Sequence, residues 1–354
     1  MENLQSLPNS VLNIENQNSL GKALLDVPHR FAASLLPGYS VEIIARASAG
    51  SQISPNCGAL FSLMPPLAIF LVLLSTFLHA GWNLILRNQR SDFTFLQITI
   101  VMSVVGLGPV LMAELGPQPL LVHVWGYLIL AGIFQAIYYL GLTQGYRNGD
   151  FTVVYPIARA LPVLLVAVGD VARGRAPSPM AWLGMILVSV GCLMIPLESW
   201  RGFHWGRYWN RAMLWAVVTA LAIVGYTLTD KIAADLIVPG PWAAARYGIY
   251  EGAASAVVYW LILKAMGRSI RDQSGLVGWR WATVAAIGVF GAYWLILWSY
   301  QLAFQASYVV ALRQLSIVIG VALGAWFLRE AAPRLRLSAA CIIVVGVAGI
   351  VLGG

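Results

Sequence analysis

Residues 64–83 read MPPLAIFLVLLSTFLHAGWN, an apolar run with no Asp, Glu, Lys or Arg. At 1.5 Å per residue such a run is long enough to cross a hydrocarbon layer of about 30 Å. Working outward, runs of this kind recur at 94–114, 121–143, 151–170, 179–197, 211–230, 241–263, 281–302, 306–328 and 337–352, making ten with the first at 66–86. Hydrophobic residues make up 59% of the 354-residue chain and charged residues 10%, against about 25% charged in a soluble domain, so lipid is the solvent for most of it. Soluble enzymes, nucleic-acid readers and disordered scaffolds fit poorly. The runs lack strand alternation, and a helix satisfies its own backbone in lipid, so the fold expected is an all-α integral membrane protein of ten transmembrane helices.

Residues 1–65 differ, with frequent Asn, Ser and Gln and no run of spanning length. They read as a poorly ordered N-terminal tail without the order of segments in a signal peptide, and Met64 would make an ordinary start for a membrane protein. The polar connection 198–210 divides the ten runs into five and five: a first repeat over 66–197 and a second over 211–354.

An internal repeat supports that division. At a spacing of 154, Tyr139 falls on Tyr293, Tyr146 on Tyr300, Arg159 on Arg313 and Leu161 on Leu315. At a spacing of 144, Gly81-Trp82-Asn83-Leu84 falls on Gly225-Tyr226-Thr227-Leu228, and Arg87 on Lys231. An odd number of spans per repeat sends the halves into the membrane from opposite sides, so the repeats are expected to be inverted. Loops after odd-numbered spans carry Arg87, Arg90, Arg147, Arg201, Arg207, Arg211, Lys264, Arg268, Arg271, Arg280, Arg329, Arg334 and Arg336; the other side has Arg173, Arg175 and Lys231. Positive charge marks the cytoplasmic side, which places the odd loops there and both termini outside. The net charge of +8 follows from these scattered loop residues and forms no patch for a polyanion. Cys57, Cys192 and Cys341 have no metal-ligand spacing.

Few polar groups lie inside the runs, and each is a functional candidate. Arg159 and Arg313 share repeat positions in spans four and nine; they either snorkel, form structural pairs or line a wet cavity. Glu251, central in span seven, is too short to snorkel and needs a cation, water or a proton; Arg159, Arg246 or Arg313 could pair with it. His79 can exchange a proton near neutrality, or simply hydrogen-bond between helices, and Asn83 lies one turn on. Asp230 and Lys231, closing span six, read as an interfacial ion pair, and Asp170 ends span four similarly. Tyr139, Tyr293, Trp298 and Tyr300 combine broad apolar surface with a polar tip, as a site for a small amphipathic solute requires. Tyr146, Tyr155, Tyr226 and Trp294 share that character, and Gln135, Gln301, Gln305 and Gln314 could satisfy a carboxylate or amide. Gly320 to Gly324 and the small residues of span ten favour close helix packing.

His79-Ala80-Gly81-Trp82-Asn83, Tyr226 with Asp230-Lys231, Tyr155-Pro156-Ile157-Ala158-Arg159, and Arg313 through Phe327-Leu328-Arg329-Glu330 together resemble the drug/metabolite transporter superfamily, in its ten-helix EamA-type branch. Arg329 replaces the glycine of the usual aliphatic-Gly-Glu ending, and the first repeat departs further at Gly169-Asp170. The resemblance implies an inner-membrane carrier of amino acids, metabolites or drugs, ion-coupled, with its site between the repeats. It also implies cytoplasmic termini, opposite to the loop-charge reading.

The expectation is therefore a secondary transporter of a small amino acid, metabolite or organic anion, working by alternating access with proton coupling in a bacterial inner membrane. The candidate site is Arg159, Arg313, Glu251, His79, Asn83, Tyr139, Tyr293, Trp298 and Tyr300. Partners are the solute, protons and lipid, with no nucleic acid and no cofactor, in a monomer or homodimer; no enzyme activity is expected. The alternative is a non-transporting membrane scaffold whose charges serve packing.

Overall fold

Ser91 and Ser178 show how local sequence starts the helices. Each sits in extended backbone at an N-cap, where its hydroxyl accepts the amide of Thr94 at 3.2 Å or of Ala181 at 3.0 Å, satisfying a donor the first helical turn leaves open. Pro179 follows Ser178 at the first helical position, where a missing N–H costs nothing. A computed structural model describes residues 64–85, 91–148, 151–195, 211–268, 278–327 and 334–353; the side chains of 83–85, 146, 148, 151–156 and 323–327 lie outside the description. The expected tail, the 198–210 connection and the Phe327-Leu328-Arg329-Glu330 ending therefore lie wholly or largely outside the described residues.

The helices are α1 (Pro66–Ile85), α2 (Asp92–Glu114), α3 (Leu121–Asn148), α4 (Phe151–Ala172), α5 (Pro179–Met194), α6 (Arg211–Leu236), α7 (Pro241–Ala265), α8 (Trp279–Leu302), α9 (Ala306–Leu312), α10 (Leu315–Phe327) and α11 (Arg334–Gly353). No strand occurs among the described residues. α2, α3, α6, α8 and α11 are each long and apolar enough to cross a membrane.

Two expectations about the segments need correction. Span nine is not continuous: α9 ends at Leu312, and α10 begins at Leu315 after a turn at Arg313 and Gln314. The turn stays hydrogen-bonded, because Gln314 N–H donates to the Ala311 carbonyl at 3.1 Å and Ser316 N–H to the Arg313 carbonyl at 3.1 Å. Tightening of this kind satisfies the backbone while redirecting the chain. Span six does not end at Asp230 but runs on to Leu236, since Ile232-Ala233-Ala234 continues an apolar face.

Helices of the two halves interleave. α3 packs on α6 and α1 on α8; α2 packs on α7; α4 packs on α6, while α9 and α10 pack on α1; α5 packs on α11. Glycines set the last approach. A methyl group at Gly184 would stand 2.5 Å from the Gly346 carbonyl oxygen, and one at Gly346 would stand 2.6 Å from that of Gly184, so neither position has room for a side chain. Ser178 Oγ fastens the end of this contact by donating to the Gly353 carbonyl at 2.5 Å. Gly320, by contrast, faces open space, so the small-residue packing lies on α5 and α11 rather than at that glycine.

Candidate functional site

Buried charge is concentrated in three places. At one end of the helices, Asp92 at the start of α2 meets Arg147 of α3 at 3.1 Å, the Arg268 guanidinium beyond α7, and the Tyr259 hydroxyl at 3.3 Å. At the opposite end, Asp235 of α6 accepts Arg173 at 2.7 Å, Arg175 at 2.8 Å and Lys231 at 2.7 Å. Lys231 also donates to the Tyr300 carbonyl at 2.7 Å, while Asp170 accepts the Ser307 amide at 2.8 Å. Nearby, Glu114 of α2 pairs with Arg246 of α7 and accepts the amides of Leu120 and Leu121 at 2.7 and 3.0 Å.

These networks correct two sequence readings. Lys231 pairs with Asp235 one helical turn further on, not with its neighbour Asp230. Asp170 and Asp230 are both fully buried, so neither is an interfacial residue next to water. Arg246, offered by the sequence as a partner for Glu251, is instead held by Glu114 and the Gln118 carbonyl.

The third place is the middle of the bundle. Asp230 on α6 accepts hydrogen bonds from Tyr247 on α7, at 3.1 Å, and from Tyr293 on α8. The same Tyr293 hydroxyl lies 3.4 Å from Glu251 Oε1, and Glu251 Oε2 has no hydrogen-bond partner among the described residues. Both carboxyls are 0% exposed. One phenol thus stands between two buried acids. Arg313, at the turn between α9 and α10, lies among Tyr138, Tyr226, Tyr293 and Tyr300 and close enough to act on the charge of Asp230.

A cavity of about 60 Å³ adjoins this group, lined from both halves by His79 and Trp82 of α1, Phe95, Ile98 and Met102 of α2, Gln135, Tyr138 and Tyr139 of α3, Tyr226 of α6, Gly248 and Gly252 of α7, Val289 and Tyr293 of α8, and Arg313. Ring contacts run along its wall from Phe95 to Tyr139, 5.3 Å and stacked, through Tyr138 to Tyr226, 5.9 Å and edge-on, and on to Tyr293 at 6.0 Å. Trp82 donates to His79 Nδ1 at 3.3 Å, which orients the imidazole on the α1 side. A smaller hollow next to it, of about 10 Å³, is shared by Arg159, Tyr226, Arg313 and Gln314. There Arg159 donates to Ser316 Oγ at 2.7 Å, and Ser316 Oγ donates to the Arg313 carbonyl at 2.8 Å, linking the two repeated arginines through one serine.

Of the residues expected from sequence, His79, Tyr139, Tyr293 and Arg313 line the larger cavity and Arg159 the smaller one. Glu251 lies behind Tyr293, outside the cavity lining. Trp298 stacks on Trp294, with centroids 6.2 Å apart, and Tyr300 is fully buried in the main core facing Arg313; both are away from the cavity wall. The Asn83 side chain is outside the described residues. Asp230 and Tyr226 are the central groups absent from the sequence-derived site, and the Tyr226-to-Asp230 spacing of one helical turn was the available signal.

Residues 66–197 match the EamA-like transporter family. This match covers the first five helices and carries the resemblance to the drug/metabolite transporter superfamily. With the apolar helices it supports a multi-pass membrane protein. No curated protein matches the chain in sequence. The crystal structure of a protein superposes with a TM-score of 0.61 at 17% identity, covering 80% of this chain and 97% of the other; the likeness is one of fold.

Proposed function

We propose that the protein is a secondary transporter of small solutes bearing a carboxylate, such as amino acids or organic anions, operating by alternating access with proton coupling. Arg313 on the cavity wall is the single observation that carries this reading. Its planar guanidinium offers several donors to a carboxylate, and the surrounding phenols supply both apolar area and hydroxyl groups. Arg159, one serine away, adds positive charge at the adjoining hollow. The Phe95, Tyr139, Tyr138 and Tyr226 wall suits the carbon skeleton of a small amphipathic solute, and His79 and Gln135 stand ready for its polar substituents.

The helix pairings support two inverted five-helix repeats. Exchanging first-half for second-half partners turns the α1 contact with α8 into the α6 contact with α3, and the contact of α4 with α6 into that of α9 and α10 with α1. Contacts between α2 and α7, and between α5 and α11, map onto themselves. A rearrangement of one half against the other would open the cavity alternately past the Asp92 network and past the Asp235 network, each of which ties helices together at one end. Glu251 serves the coupling proton. A bacterial inner membrane suits such a carrier. A scaffold role would need this polar centre to be packed shut, and a cavity bordered by an arginine argues against it.

Uptake and counterflow in proteoliposomes, with a pooled panel of carboxylate-bearing metabolites, test the proposal. Saturable exchange of at least one member is expected. Absence of exchange across the panel by protein with a defined thermal transition would count against it.

A further inference from the structure

Asp230 and Glu251 come from different helices, α6 and α7, and meet at one hydroxyl. Tyr293 has a single O–H to give, so it cannot satisfy both carboxylates at once. Asp230 has Tyr247 as a second donor, whereas Glu251 Oε2 is left without a partner at 0% exposure. Two ionised carboxylates at 0% exposure would set two negative charges beside the Arg313 guanidinium. Burying an uncompensated charge costs far more than sharing a proton does.

We propose that Asp230 and Glu251 form a two-carboxylate site that binds one exchangeable proton jointly, with the Tyr293 hydroxyl as the bridge between them. The groups facing the pair come from every side of it. Tyr226 on α6, Tyr247 on α7, Tyr293 and Tyr300 on α8 and Arg313 at the α9–α10 turn surround Asp230; Tyr139 on α3, Tyr247 and Tyr293 surround Glu251. On the α2 side of α7 the neighbour at Gly252 is the uncharged Met102. Tyr293 also lines the cavity, so the bridge touches both the proton site and the solute space.

The site deepens the transporter reading and rests on it for its use. A solute carboxylate on Arg313 draws that cation away from Asp230 and strengthens the pair's hold on its proton. Linkage makes the effect reciprocal: the protonated pair leaves Arg313 free to hold the solute more tightly. Solute and proton then travel in the same direction.

Infrared pH-difference spectroscopy on the full chain in liposomes, without solute, tests the site. Wild type is expected to show a carbonyl band of a protonated carboxylic acid that disappears in one step as pH rises. Asp230→Asn and Glu251→Gln should both alter that same step, because interacting acids titrate as a pair. Two independent steps, each deleted by one variant with the other unmoved, would overturn the proposal, as would the absence of the band. Exchanging sodium for choline should leave the step in place; a sodium-dependent displacement would assign the site to that cation and overturn it. If neither acid variant retains a thermal transition, Tyr293→Phe decides: it keeps both acids and should shift the step, and an unmoved step refutes the bridge. Since no solute is present, this outcome is separate from the success or failure of counterflow.

Discussion

The Tyr293 hydroxyl on α8 lies 3.4 Å from the Glu251 carboxylate on α7, joining a cavity wall to a fully buried acid. On the proposed reading, the coupling proton sits next to the solute space but not within it. Glu251→Gln should therefore lose accumulation driven by a pH gradient while keeping solute exchange, because the amide preserves size and hydrogen bonding and removes titration. Accumulation equal to wild type in reconstituted Glu251→Gln would exclude it as the coupling group.

The Asp235 network makes an unequal prediction for its members. Asp235 receives Arg173, Arg175 and Lys231, so Asp235→Asn weakens three charge-assisted contacts, whereas Lys231→Met removes two, to Asp235 and to the Tyr300 carbonyl, and also relieves a buried ammonium. We expect Asp235→Asn to cost about 1–3 kcal/mol, read as a lower thermal midpoint, with Lys231→Met costing less. The reverse order would show that Lys231 is the organising member.

Much of the fold could be read from the sequence because hydrocarbon imposes one rule, about 20 apolar residues per crossing, and the runs obey it. The repeated Arg159 and Arg313 stood out for the same reason: charge in an apolar run is costly and conspicuous. Asp230 did not stand out. Its neighbour Lys231 offers an obvious partner along the chain, and only the continuation of α6 to Leu236 turns the ammonium toward Asp235. The turn at Arg313 was equally hidden, since Ala306 to Phe327 is mostly apolar on either side of it and has no Gly or Pro at the turn. Trp298 and Tyr300 share the composition of site residues, but which way a helix faces depends on packing that span-level reading leaves open.

Close packing of α5 on α11 gives a third test. Gly346→Leu places a branched side chain against the Gly184 backbone and should lower stability by about 1–3 kcal/mol or more, as overpacking does. Gly320→Leu, at a position facing open space, should leave the thermal midpoint nearly unchanged. Equal losses would mean that the Gly184–Gly346 contact is not a limiting approach.

Loop charge makes a topological prediction. With single cysteines in a cysteine-free background, Gly174→Cys between Arg173 and Arg175 should react with an impermeant reagent on intact cells, and Gly267→Cys beside Arg268 should react only after permeabilisation. Reversed labelling would favour the orientation implied by the family resemblance, with cytoplasmic termini.

Counterflow by wild type and Arg313→Gln, on whichever carboxylate-bearing solute the panel identifies, tests the central claim most directly. Removing a charged donor from a carboxylate should cost about 2–5 kcal/mol of affinity, and Arg313→Lys should fall between, since it keeps charge but loses the planar fork. A folded Arg313→Gln with strongly weakened counterflow is the predicted result. Wild-type affinity in that variant would contradict the assignment of Arg313 as the solute's anchor.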